Sequence, residues 1–396
     1  MTAKAPVVRN VVRLSLLEQV SPAYLLRFLQ PFAEYLAERG VQLAGAEVDH
    51  DWIGRLHRVL NAVDPEMPSK LEQALLDVAD LASDEAHEQI VQLAGERQLS
   101  LFSPGRELSA CDLAFKLYLE HAELFTASHA RVRSREARLF VEFHAMARAP
   151  MEGHDSEAKR IVLQDQLGRW FGDRNCTDYC EVRVSETDDE VTFLVIHGRT
   201  PRSFGVITTD RTRGRASLIP DKQDTLVFDK ESCRLSVNAR WPAEQDFYRR
   251  AVGRVFFDDP EHFKAREVYT GDPIVEVGER ALSPQGILGL LDVRLTRIEV
   301  RDGSKPPETL HWAGRDLGPK LGSVKARALL DGHEITRLKL ALGIEGRRWR
   351  LPVTITPPNK LDYDRRFGEA TVREFLLVRG FMRLPARQER RRAALG

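Results

Sequence analysis

The hydrophobic period changes once along this chain, and that change limits the fold more than any other feature. Before residue 130 apolar residues recur three and four apart; from Arg138 the run Leu139-Phe-Val-Glu-Phe-His-Ala-Met146 alternates as a strand does. Helices segregated ahead of strands predict an α+β fold, and 396 residues exceed what one ordinary core organises. We expect an N-terminal helical bundle followed by a strand-rich region of mainly antiparallel sheets with a few packed helices. The expected domains are an acidic helical domain over 1–130, an α+β domain with an antiparallel meander over 131–258, and a basic antiparallel sheet domain with a C-terminal helix and a basic tail over 259–396.

Local chemistry marks the element boundaries. Ser21-Pro22 offers an N-cap followed by proline at the first helical position, and Leu25, Leu26, Phe28 and Leu29, then Phe32, Tyr35 and Leu36, form an apolar face that ends at Gly40. Pro31 should kink that helix or split it in two. Ser69 with Glu72 predicts a capping box ahead of Leu71, Leu75, Val78 and Leu81, Ser83 restarts a helix, and Ser109 with Asp112 caps another. Beyond residue 138 the pattern predicts a helix capped by Asp155 and a run of short strands over 179–184, 191–197, 203–208, 216–219, 225–228 and 234–237. Trp241-Pro242 opens a further helix. Strands are then expected over 291–300, 323–330, 334–342 and 349–355, with a last helix over 370–379 stopped by Gly380.

Charge is distributed unevenly about a net of zero. Through Ala130 there are 11 Lys+Arg against 19 Asp+Glu, and after it 48 against 40. The basic part therefore either meets the acidic part or faces an anionic partner. No apolar run reaches the roughly 18–20 residues that span a bilayer, and the N-terminal segment lacks the apolar stretch of a signal peptide, so the expectation is a cytoplasmic protein without a membrane partner. Cys111, Cys176, Cys180 and Cys233 are too few for a disulfide scaffold. Cys176 and Cys180 have metal-like spacing and His154 lies upstream, but no second ligand pair exists, so we expect ordinary thiols, no metal and no cofactor.

Signatures of catalysis are missing: the sequence has no GxxxxGK[ST], GxGxxG after a strand, GxSxG, HExxH or CxxC pair. The acid-x-Lys match Glu157-Ala158-Lys159 falls in a predicted helix, where Glu157 is explained by the helix dipole. Glu142 and His144 share one face of a predicted strand. With Asp155 and Glu157 they are the acid/base or metal candidates, although a wet strand face explains the pair more simply.

Basic clusters are the remaining signal. Arg199, Arg202, Arg211, Arg213 and Arg215 fall in the turns and edges of the first meander, while Lys320, Lys325, Arg337, Lys339, Arg347, Arg348 and Arg350 are expected to decorate the last sheet. Such a positive face is the footprint that a phosphate backbone requires. No aromatic platform accompanies it in the sequence pattern.

Met67-Pro-Ser-Lys-Leu-Glu-Gln-Ala-Leu75, the helix over 114–123, Asp221-Lys-Gln-Asp-Thr-Leu-Val-Phe-Asp229 with Arg234-Leu-Ser-Val-Asn-Ala239, and Thr356-Pro-Pro-Asn-Lys-Leu-Asp-Tyr363 together resemble an uncharacterised bacterial protein family. The resemblance carries no catalytic residue or cofactor. It implies a place in phage-defence or mobile-element islands. The resulting expectation is a non-catalytic sensor or adaptor that contacts nucleic acid through the basic strand-rich part and a protein partner, encoded nearby, through the helical part. The alternatives are a metal-dependent nuclease with a degenerate site and a purely structural protein-binding subunit.

Overall fold

The structure, a computed structural model, describes residues 11–102, 108–147, 149–154, 156–207, 212–305 and 307–383. The chain divides into two compact units, Met1–Arg133 and Ser134–Gly396. The first is helical: α1 (Leu14–Gln19), α2 (Pro22–Leu29), α3 (Ala33–Glu38), α4 (His50–Leu60), α5 (Ser69–Leu81), α6 (Asp84–Glu96), α7 (Ala110–Glu120) and α8 (Ala122–Glu136), the last running through the division. Leu25, Phe28, Leu36, Leu56, Leu71, Ile90, Leu113 and Phe115 are buried in its core, with Phe28 edge-on to Phe115 at 5.0 Å. Burial of this apolar stripe, at roughly 25 cal/mol per Å², is what holds such short helices together.

Pro31 splits the second helix, leaving the 3₁₀ turn Gln30–Phe32 between α2 and α3. Two expected caps are not made. Ser21 sits at the N-cap of α2, but its hydroxyl donates to the Asp112 carboxylate (2.6 Å), so it ties α2 to α7 instead of capping its own helix. Ser69 is already helical, Pro68 holds the N-cap position, and no capping box forms. Ser83 and Ser109 do cap, accepting the Ala86 and Asp112 N–H groups.

The second unit is strand-rich, which makes the chain α+β. In order it contains β1 (Leu139–Ala145), α9 (Glu157–Gly172), β2 (Cys180–Glu186), β3 (Glu190–Gly198), β4 (Arg202–Ile207), β5 (Arg213–Leu218), β6 (Asp221–Asp229), β7 (Arg234–Asn238), α10 (Pro242–Phe257) and β8 (Phe263–Lys264). There follow α11 (Asp272–Glu276), β9 (Leu290–Arg301), β10 (Thr309–Ala313), α12 (Val324–Leu330), β11 (Glu334–Ile344), β12 (Leu351–Thr356), β13 (Lys360–Tyr363) and α13 (Glu369–Val378). One antiparallel sheet has the order β10-β9-β11-β12-β13-β1-β7-β6-β3-β2, with β8 added to β1. It therefore runs continuously across residues 258 and 259, while two separate cores line it. Leu163, Leu167, Phe193, Phe228 and Val252 form one with α9 and α10; Leu295, Leu340, Val353, Phe375 and Leu376 form the other with α13.

Residues 323–330 are helical, not a strand. Val324, Ala326, Ala328 and Leu330 alternate with Lys325 and Arg327, which mimics a strand, but the Ser323 hydroxyl accepts the Ala326 N–H and caps a helix that buries Ala326 and Leu330 one turn apart. Ser156 caps α9, and Asp155, expected in that role, lies outside the described residues. The helix α4, capped by Asp49, buries Trp52, Ile53, Leu56 and Leu60 at helical spacing and is absent from the expected elements, while the strands β10 and β13 are too short to stand out by period.

β1 is buried on both faces. Val141 and Phe143 enter the core under α9 and α10, and Glu142 and His144, expected on a wet face, are each 5% exposed. Glu142 accepts from the Arg234 guanidinium (2.9 Å) and from the Tyr269 hydroxyl (2.6 Å). Burial, helped by the positive charge of Arg234 and Arg266 and opposed by Glu142, holds the His144 imidazole down to about 4. Its Nδ1 has no hydrogen-bond partner, so a second proton there would go unsolvated. The folded-state value lies below that of the unfolded chain, about 6.5, so the unfolded state binds more protons between them. His144 thus contributes stability that is complete above pH 6.5 and lost as pH falls towards 4. Chemical denaturation of wild type and His144→Asn across pH 4–7 should show the wild type losing stability more steeply with acid than the variant.

Candidate nucleic-acid interface

The first arginine cluster is carried by a β-ribbon. β3 and β6 pair from Glu190↔Asp229 to Gly198↔Asp221, and the Arg199 N–H still reaches the Pro220 carbonyl at 2.7 Å. Pro201 and Pro220 then lack the N–H groups that would continue this ladder. Beyond the break, β4 and β5 pair as a separate two-stranded sheet in the register Arg202↔Leu218 to Ile207↔Arg213. Opposite residues share a face, so Arg213 and Arg215 lie with Gly205, Ile207 and the hydrogen-bonded pair Ser203 and Ser217, while Phe204, Val206, Ala216 and Leu218 lie on the other face with Arg202.

Nearly every residue of the ribbon is exposed, including Ile207 at 71% and Phe204 at 46%. Among the described residues of the ribbon, 199–207 and 212–220, there are four arginines and no acid, and none of Arg199, Arg202, Arg213 and Arg215 pairs with a carboxylate. Arg211 lies outside the described residues. A solvated ribbon of this kind has no packing of its own to stabilise it, since two strands alone are marginal in water. What it offers is reach and positive charge.

The second cluster is more dispersed than expected. Arg337 and Lys339 do sit on the outer face of the large sheet, but Lys320 lies in the 3₁₀ turn Gly318–Lys320 and Lys325 in α12, with its ammonium 5.6 Å from the Trp312 ring. Arg347, Arg348 and Arg350 surround the turn between β11 and β12. There Trp349 is 73% exposed beside the Arg348 guanidinium, an aromatic surface that the sequence pattern did not reveal. The outer face gains Arg294, Arg297 and Arg301 from β9, which alternate with buried Val293, Leu295, Ile298 and Val300. Two carboxylates partly neutralise it: Glu299 is shared by Arg297 (2.8 Å) and Arg337 (3.2 Å), and Asp292 by Arg350 (2.9 Å) and Arg294 (3.8 Å). Lys339 stands directly opposite Arg297, a like-charge pair that an anion would relieve.

The acid/base candidates are not brought together. Both Glu142 oxygens are occupied by Arg234 and Tyr269, and Glu157 is exposed at the start of α9 in an ion pair with Arg160. His154 pairs with Glu186 (2.7 Å) at the far end of β2 from Cys180, six residues or about 20 Å of strand away. Among the described residues no three His, Cys, Asp or Glu side chains converge as metal ligands do. Burial pushes the Cys180 thiol up to about 12 and also raises Cys111, whereas Cys176 is only half-buried. Alkylation of the native protein followed by peptide mass spectrometry should therefore modify Cys176 well before Cys111, Cys180 or Cys233.

No protein-family model matches this chain, and no curated protein sequence matches it.

Proposed function

We propose that this chain is a non-catalytic nucleic-acid-binding protein, a cytoplasmic sensor or adaptor of a bacterial defence or mobile-element system. In this reading the β4–β5 ribbon and the outer face of β9 and β11 contact the nucleic acid. The helical unit, with its excess of acidic residues, meets a protein partner encoded nearby. The observation that carries the reading is the ribbon: an exposed two-stranded element whose described residues include four arginines and no acid. A two-stranded ribbon fits a B-form major groove about 12 Å wide, and arginine is the side chain best suited to phosphate and guanine. A nuclease is less well supported, because Glu142 has no oxygen left to hold a metal and His144 is buried beside it.

Binding of a duplex should weaken as salt rises, with a log-log slope of about 0.9 for each phosphate neutralised. Replacing Arg213 and Arg215 together with glutamine should lower that slope by about 2 and leave thermal unfolding unchanged, since both side chains are solvent-exposed. Fluorescence anisotropy between about 50 and 200 mM salt measures both quantities. A wild type that fails to bind duplex at the low end of that range, or a variant with the wild-type slope, would contradict the proposal.

A further inference from the structure

Where the ribbon leaves the sheet there is a cavity of about 210 Å³, far larger than the ~10–15 Å³ a single water needs. Its walls come from four places: Arg199, Thr200 and Arg202 at the root of the ribbon, Lys222 with buried His197 from the β3–β6 pair, Arg240, Trp241 and Glu244 at the start of α10, and Cys176 after α9. Four cationic side chains thus face one space with a single carboxylate. That carboxylate is already engaged, because Glu244 accepts from Lys222 (2.8 Å) and from the Trp241 N–H (3.2 Å). Lys222 is likewise held, between Glu244 and the buried Asp224 at 3.0 Å. Arg199, Arg202 and Arg240 have no carboxylate partner among the described residues.

Two further features bear on this space. The Arg199 Nε is buried without a hydrogen-bond partner, a donor whose desolvation nothing in the chain compensates. Trp241 is 56% exposed, with the Arg240 guanidinium 4.9 Å from its ring centre, so an aromatic surface borders the charged space. The floor does not compete for a ligand. His197 lies flat on Phe171 at 3.6 Å, and its two ring nitrogens face the Gly198 carbonyl (3.0 Å) and Asp224 (3.1 Å). Three guanidiniums without a carboxylate partner, one of them with its Nε orphaned, and a hydroxyl at Thr200 match the oxygens of a tetrahedral dianion, and the indole matches a base.

We infer that this cavity binds the phosphate monoester of a nucleotide, free or at the end of a nucleic-acid strand. The site is separate from the duplex contact made by Arg213 and Arg215, so the two ideas stand or fall on different variants. Calorimetric titration at constant ionic strength with AMP, adenosine, and one short oligonucleotide carrying either a 5′-phosphate or a 5′-hydroxyl tests it. AMP should bind and adenosine should not. Arg199→Gln and Arg240→Gln should each weaken AMP by about tenfold, the loss of one charge-assisted hydrogen bond, while Arg213→Gln with Arg215→Gln should leave AMP binding intact. Arg240 is exposed, so its variant keeps the test meaningful if Arg199→Gln folds poorly. Tighter binding of the phosphorylated oligonucleotide, competed by AMP, assigns the site to a strand end; AMP binding with equal oligonucleotide affinities assigns it to a free nucleotide. Absence of any preference for the phosphate in either pair, or wild-type AMP affinity in both single variants, would overturn the inference.

Discussion

The second unit depends on the pairing of one buried carboxylate. β1 is the strand that joins the two halves of the large sheet, bonded to β13 on one side and to β7 on the other. It can occupy that position only because Glu142 finds Arg234 on β7 and the hydroxyl of Tyr269, and because Asn359 binds its backbone from the other side, accepting the Glu142 N–H and donating to the Glu142 carbonyl. An ion brought into such an interior unpaired would cost several kcal/mol, and removing one member of a buried pair typically costs about 3–5 kcal/mol. Arg234 also lies near Asp229, which Arg373 of α13 binds at 2.8 Å, so the same network reaches from the central strand to the helix that closes the second core.

That arrangement sets where the charge-bearing surfaces fall. With β1 fixed, β7, β6 and β3 follow in antiparallel order, and the β3–β6 pair is the part of the sheet from which the ribbon emerges. On the other side β13, β12, β11 and β9 turn Val293, Leu295, Ile298 and Val300 inward, so Arg294, Arg297 and Arg301 take the outer face. The outer face is partly neutralised by Glu299 and Asp292. Acids of this unit pair elsewhere, as in Glu142–Arg234, Asp224–Lys222 and Glu299–Arg337, and among the described residues no carboxylate pairs with the ribbon arginines.

Much of the fold was legible in the sequence because it is written in local patterns: the change of period, the strand of β1, the split at Pro31 and the stop at Gly380 with φ of 78° all depend on neighbours within a few residues. What was not legible depends on distant partners. Nothing near Glu142 shows that Arg234, 92 residues on, removes it from solvent. Ser21 makes a good N-cap by sequence but is taken by Asp112, and alternating Val324, Ala326, Ala328 and Leu330 cannot reveal that Ser323 starts a helix. The site divides in the same way. The ribbon arginines are visible as a cluster, whereas Lys222, Arg240 and Trp241 are scattered along the chain and meet only when the β3–β6 pair passes the start of α10.

A ribbon built for contact and not for stability can be removed at the expense of binding alone. Replacing residues 199–220 by Asn-Gly would join Gly198 to Asp221, already paired across β3 and β6, through a two-residue hairpin turn. Duplex binding and thermal unfolding of this protein would be measured beside those of the wild type. An unchanged cooperative transition with duplex affinity sharply reduced is expected. Duplex affinity equal to that of the wild type after the deletion, or a chain that no longer folds without the ribbon, would contradict this.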